Sequence, residues 1–330
     1  MLSKMMMAGA LLALSLAPAA AQEATTIKFG FSSVADLEND NGYTANLFKW
    51  YVEANSSDLK VDINGASKLG SDQDVIQALQ LGAGATMHIG GTANYNTFIP
   101  RVGVLDLPFM WKGYDHAGRA LDGAVGDSLK ADFEKAGFKV LGFGYSWGYR
   151  NVVTRDKAVN APGDISGLKL RTIQSPIYVA AINAMGANAT PMAFNEVYTA
   201  LQTGVLDGFE HAASMVYSSK LYEVAHHVAL TRHLFGPTVM TYSLALWNKL
   251  SPDDQAVVQN GANFALEAAR ALAPGRERKA LDLLVAKGMT ITNVDTSQFA
   301  EAAKPLQDKL AADINASDLL KEIRDAASSQ

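Results

Sequence analysis

The 330 residues contain no cysteine, which excludes a disulfide framework, a thiolate nucleophile and any Cys-ligated zinc or iron–sulfur site. Stability must come from an ordinary core, and 48% of the residues are apolar enough to supply one. An excess of positive charge is missing too: 28 Lys and Arg face 33 Asp and Glu, a net charge of −5. That balance argues against nucleic acid or an anionic membrane as partner. If the ligand is an anion, its attraction must be local. Long apolar runs are scarce, the clearest being the small-residue and apolar stretch 5–17, which is too short for a stable span. No H-E-x-x-H zinc helix occurs, and His226, His227 and His233 lack the i, i+4 spacing of one. No metal, no cofactor and no catalytic nucleophile are expected.

What is present first is a secretory leader. Lys4 precedes the apolar run, and Ala19 and Ala21 are the small residues before a cut that leaves Gln22 as the new terminus. We therefore read 1–21 as a signal peptide and expect export. A remaining chain near 300 residues exceeds what one core usually covers, which favours two lobes.

Strand-like and helix-like patterns then alternate: TIKFGF (26–31), GYTANLFKWYVEAN (42–55), LKVDI (59–63), DQDVIQALQLG (72–82) and ATMHI (85–89). Such alternation reads as α/β with a largely parallel sheet. In the second segment Tyr43, Leu47, Trp50, Tyr51 and Ala54 recur at helical spacing as an apolar stripe. FKVLGFGYSWGYRNVVT (138–154) reads as a strand crossing between lobes over 142–148, and Gly236-Pro237 punctuates a second crossing within 233–247. Residues 251–288 form a long helical pattern, with Ser251 as N-cap, Pro252 at the first helical position and a kink expected near Pro274.

The densest signal is GLKLRT (167–172) followed by TPMAFNEVYTALQTGVLDGFEHA (190–212). Alternation puts Leu168 and Leu170 on one face of a short strand and Lys169 and Arg171 on the other, so both cations should leave the core together. An arginine fork can bond both oxygens of a carboxylate in parallel, which a lysine cannot. The ordering resembles the signature of the TRAP-transporter solute receptors of the DctP type. YEVAHHVALTRH (222–233) and ALWNKLSPDDQ (245–255) extend that resemblance over the rest of the chain.

The resemblance implies a two-lobed periplasmic binding protein fold, class II-like, with mixed sheets, β-strand hinges and a long spanning helix. With the leader read at 1–21, the first lobe is expected at 22–147 plus 237–275 and the second at 148–236 plus 276–330. MTITNV (289–294) and two short helices should complete the second lobe. The implied role is a carrier rather than an enzyme: an organic-acid receptor, monomeric by default, that delivers its ligand to membrane permease subunits. It further implies Arg171 as the carboxylate anchor, Arg150 as a second ligand-contacting arginine, with a salt bridge across the hinge strands as its rival role, and Phe194 as a ligand-facing wall. Ser33, Asp72 and Asn94 would contact the distal end of the ligand, with helix capping as a rival role for Asp72. Trp147 would stack on a sugar or pack under the hinge. Asn195 reads as the N-cap of the helix that follows Phe194. DGFEHA (207–212) departs from the common version, which has asparagine where His211 stands. An imidazole can donate or accept. Glu210, acceptor-only when ionised, would favour hydroxyls over a second carboxylate. Together these lean toward a sugar acid, with C4-dicarboxylates and keto or hydroxy acids as alternatives, and a periplasmic enzyme on the same scaffold, with Glu210 and His211 as acid and base, as the remaining one.

Overall fold

The computed structural model describes residues 24–327, so the leader read at 1–21 lies outside the described residues. The strands are β1 (Thr25–Gly30), β2 (Leu59–Asn64), β3 (Met87–Gly91), β4 (Phe138–Gly144), β5 (Tyr149–Thr154), β6 (Lys169–Thr172), β7 (Asn188–Pro191), β8 (Gly208–Ala212), β9 (His227–Phe235), β10 (Thr238–Ser243) and β11 (Thr290–Thr292). They form two mixed sheets, ordered β2-β1-β3-β10-β4 and β11-β9-β5-β8-β6-β7. The first is parallel on its β2-β1-β3 side, and β10 runs antiparallel to both of its neighbours.

The chain changes sheet twice through strands. β4 ends at Gly144 in the first sheet and β5 starts at Tyr149 in the second, so the first crossing is the short segment 145–148. Gly148 adopts φ +65°, and a Cβ there would sit 2.1 Å from the Tyr114 hydroxyl, which itself donates to Glu277 at 2.5 Å. Gly236-Pro237 links β9 to β10 as the second crossing, and the Gly236 N–H donates to the Gly148 carbonyl at 2.8 Å, which ties the two crossings together. The long helix Pro252–Ala286 is unbroken through Pro274. It begins as the sequence implies, with the Ser251 hydroxyl accepting from the Asp254 N–H. Gln259 and Arg270 of this helix donate to the outward carbonyls of Leu141 and Phe143, which covers the edge of the first sheet.

Two expectations about packing need correction. Helix Asp40–Asn55 buries Ala45, Leu47, Phe48 and Val52, while Trp50 is 53% exposed. The aromatic stripe misjudged the angle because Phe48 and Val52, one turn apart, fill the space over β1. Burial of each such side chain contributes about 1.5–3 kcal/mol. The last two helices, Leu306–Asp313 and Ser317–Ala326, pack on the first lobe rather than completing the second. Ala311, Leu319, Leu320 and Ile323 join the core formed by Leu105, Leu121, Val125 and Phe133. Their short amphipathic pattern specifies an apolar face but not which lobe receives it.

Candidate functional site

The lobes meet through side chains that cross between them. The Asn39 amide donates to Ser218 Oγ at 2.9 Å, Ser214 Oγ donates to Asp40 at 2.6 Å, and the Asn96 amide donates to Ser175 Oγ at 2.8 Å. Trp147 Nε1 donates to Asn41 Oδ1 at 3.2 Å. The sequence reading missed Asn39, Asp40 and Asn41. Asn39 is also the N-cap of its helix, a role that by itself explains an asparagine there.

Lys169 and Arg171 share a face of β6 but not an environment. Lys169 is exposed at the outer end, whereas Arg171 is 3% exposed between the lobes. Its Nε and Nη2 both donate to the Met192 carbonyl, at 2.9 and 2.6 Å, and the guanidinium lies 5.7 Å from the Phe194 ring centre. Nη1 is buried and has no hydrogen-bond partner among the described residues. Burial, with the charge of Arg150 beside it, lowers the Arg171 pKa to about 10 against the pull of Glu210 and Asp72. The side chain stays charged at neutral pH, held in a place short of an anion.

Arg150, on β5, is in the opposite condition. It is fully buried and grips Glu210 of neighbouring β8 through Nε (2.5 Å) and Nη2 (2.9 Å). Burial lowers its pKa, but the Glu210 charge more than offsets this. Thr172 Oγ1 donates to Glu210 at 2.9 Å. Both Glu210 oxygens are thus engaged, and Glu210 does not face the cleft as a separate acceptor. His233, 3.8 Å from Glu210, is drawn down to about pH 4 mainly by burial, and so stays neutral.

His211 is buried, and that burial, reinforced by Arg150 and Arg171, pushes its pKa well below 6.5. The neutral ring accepts the Ala212 N–H at Nδ1 (2.8 Å), so Nε2 carries the proton and is a donor. Trp147 and Phe194 flank the ring edge-to-face at 5.1 and 5.3 Å. Trp147 itself packs under the hinge: a Cβ on Gly91 would lie 2.7 Å from it. Asn195 does not cap the following helix; a 3-10 turn, Phe194–Glu196, intervenes before Val197–Gln202.

The first lobe supplies the facing wall. Asp72 is not the helix cap. Ser71 is, in a capping box with Asp74. The Asp72 side chain turns back, with Oδ1 accepting the Ser32 N–H (3.1 Å) and His88 Nε2 (3.1 Å), and Oδ2 accepting Ser32 Oγ (2.6 Å). Burial raises its pKa, but His88 and Ser32 outweigh that and hold the carboxylate ionised. The serine beside it is therefore Ser32, whereas Ser33 is buried beneath, donating to Asn39 Oδ1 at 2.9 Å. Asn94, 7% exposed, sits by Gly90 and His88. His88 was missed because nothing in ATMHIGG separates a site histidine from a core one.

Gly144-Tyr145-Ser146-Trp147-Gly148 has the G-x-S-x-G spelling of a hydrolase nucleophile turn, a match that the expectation of no nucleophile passes over. Such a turn leads from strand to helix. Here it leads from β4 to β5 at the hinge, and Ser146 is buried.

Comparison with known proteins adds to this geometry. Residues 31–313 match the model of the DctP family, described as bacterial extracellular solute-binding protein, family 7. The chain is 33% identical to the 2,3-diketo-L-gulonate-binding periplasmic protein YiaO of Escherichia coli (strain K12), covering 91% of this chain and 92% of that one. The sugar acid binding protein DctPAm of Advenella mimigardefordensis, solved with galactonate, superposes with a TM-score of 0.88 at 29% identity, over 92% of this chain and 98% of that one. A TRAP periplasmic solute binding protein of Shewanella oneidensis, solved with succinate, gives 0.86 at 25% identity, over 92% and 99%.

Proposed function

Because the chain belongs to the DctP family of bacterial extracellular solute-binding proteins, we propose that it captures a hydroxylated monocarboxylate of the aldonate or uronate type between its lobes and delivers it to TRAP permease subunits. The observation that carries this reading is the buried Arg171 with Nη1 unpartnered. A ligand carboxylate accepts from Nη1, and the protonated Nε2 of His211, packed against the same Phe194 ring, offers a second donor. Across the cleft stands Asp72, an acceptor-only group suited to hydroxyls. Donors on one wall and an anion on the other match a molecule with a carboxylate at one end and hydroxyls at the other.

Arg150 serves by holding Glu210, so of these two buried arginines it is Arg171 that keeps a nitrogen for the ligand. A C4-dicarboxylate, the runner-up that the succinate-bound relative supports, would bring its second carboxylate toward Asp72. Closure follows from differential affinity: contacts from both walls exist only when the lobes meet, so the ligand shifts the population toward the closed form. Micromolar binding requires about 8 kcal/mol, and charge-assisted bonds contribute roughly 1.5–3 kcal/mol each.

Calorimetric titration of galactonate, erythronate, galacturonate and succinate into the protein and its Arg171→Ala variant tests the reading. Sugar acids should bind to the native protein and lose about 2–5 kcal/mol in the variant. Near-native affinity in Arg171→Ala would refute the anchor. Mass spectrometry of the recovered acid should find it unchanged, as for a carrier.

A further inference from the structure

We propose that His88 is a positioning residue that locks Asp72 as a hydroxyl acceptor, and that this pair sets a preference for hydroxylated monoacids over dicarboxylates. The inference rests on the reading above, in which Arg171 takes the ligand carboxylate. It concerns the opposite wall.

His88 is fully buried on β3, with Nε2 3.1 Å from Asp72 Oδ1 and Nδ1 2.9 Å from the Tyr95 hydroxyl. Tyr95 is buried in turn, 2.6 Å from Thr241 Oγ1 on β10. The direction of this chain follows from its end. An ionised carboxylate can only accept, so His88 Nε2 carries a proton. With that as the ring's one proton Nδ1 accepts, so Tyr95 donates to it and Thr241 donates to Tyr95. Burial drives the Tyr95 pKa upward, so its proton stays in place. Thr241, Tyr95, His88 and Asp72 thus form one directed relay in which each group has a partner.

Space is reserved for this arrangement. A Cβ on Gly90 would lie 2.7 Å from His88 Cε1 and 3.0 Å from its Nε2, so the ring lies against a backbone that only glycine leaves open. Among the described residues Oδ1 of Asp72 has two donors, whereas Oδ2 has only Ser32 Oγ. Oδ2 is therefore the oxygen with acceptor capacity left. The Asp72 side chain is 14% exposed while His88 beneath it is 0%, so the free capacity is on the side away from the relay. A ligand hydroxyl donates there; a ligand carboxylate brings a second acceptor and like charge to the same place.

The test measures calorimetric affinities for D-galactonate, D-erythronate and succinate in the wild type and in His88→Leu, His88→Gln and Tyr95→Phe, with thermal midpoints alongside. His88→Leu should cut the galactonate-to-succinate affinity ratio about tenfold. His88→Gln, which keeps a side-chain N–H donor, should restore part of the ratio, and Tyr95→Phe should lower it less than His88→Leu does. Loss of affinity for all three acids by one factor, in step with the midpoint, would make His88 merely structural and overturn the proposal, as would an unchanged ratio or a wild type that prefers succinate. Arg171→Ala separates the two levels: if it abolishes sugar-acid binding while the His88 variants leave the ratio unchanged, only this inference fails. A wild type that binds none of the three acids overturns the carboxylate reading and this inference with it.

Discussion

Arg150 and Arg171 stand on neighbouring parts of one sheet, both buried between the lobes, and differ in what balances their charge. Arg150 closes a two-pronged pair with Glu210 on the adjacent strand. Among the described residues Arg171 hydrogen-bonds only to a backbone carbonyl and keeps a spare nitrogen. A buried ion pair with satisfied geometry is costly to break from one side, because the survivor is left charged in a poor solvent. A buried cation with no partner anion costs stability until one arrives. The first arrangement suits a scaffold and the second suits the binding role proposed for Arg171, although a list of buried arginines would not separate them.

The contrast can be broken most sharply at Glu210. Glu210→Gln should destabilise the protein by about 3–5 kcal/mol in chemical denaturation, since Arg150 is left uncompensated. A midpoint close to wild type would remove the distinction. Arg171→Met should do the reverse in the absence of ligand: stability unchanged or slightly raised, because a buried charge is replaced by a side chain that packs. Its affinity for a sugar acid should fall by about 2–5 kcal/mol. Equal loss of stability in the two variants would mean that Arg171 is scaffold as well.

Asp106 sharpens the comparison from a third side. It is 1% exposed, accepts from Thr92 and from the Asn96 amide, and lies within reach of the charges of Arg150 and Glu210. Burial raises its pKa from 3.8 to about 7, against the hydrogen bonds that lower it. The folded state therefore binds this proton more tightly than the unfolded chain. Below about pH 4 both states are protonated and no penalty arises; between 4 and 7 stability is lost as pH rises. Asp106→Asn should remove that slope, gaining roughly 1–3 kcal/mol on wild type at pH 8 relative to pH 4. Parallel stability curves for the two proteins would show Arg150 drawing on Asp106 as a second anion. The smallest effect is expected at Thr172→Val, which deletes one hydroxyl donor to Glu210 and should cost about 1–2 kcal/mol without changing ligand affinity.

Much of the fold was legible in the chain. Alternating strand and helix patterns announced α/β layers, Gly236-Pro237 marked a crossing, and Ser251-Pro252 marked the start of the long helix, because these signals act over a few residues. The face of helix Asp40–Asn55 was misread because aromatic residues were weighted above Phe48 and Val52, and the neighbour that decides between them comes from β1. The last two helices were given to the wrong lobe for the same reason. At the candidate site, the resemblance pointed to Arg171, Phe194, His211 and Asp72, and the structure brings Arg171, Phe194 and His211 together with Asp72 opposite. The role of Glu210 as partner of Arg150 was not legible, since the two lie 60 residues apart and meet only through strand pairing.

Composition and local pattern, taken by themselves, determined that this chain has no thiol chemistry, layers strands with helices, and carries an arginine on a short strand beside a family signature. Only the tertiary structure decided which arginine is already paired, that Ser32 rather than Ser33 supports Asp72, and that His88 stands behind it. Propensity and periodicity are properties of neighbours along the chain, whereas desolvation and charge balance are set by whatever distant segments close over a group.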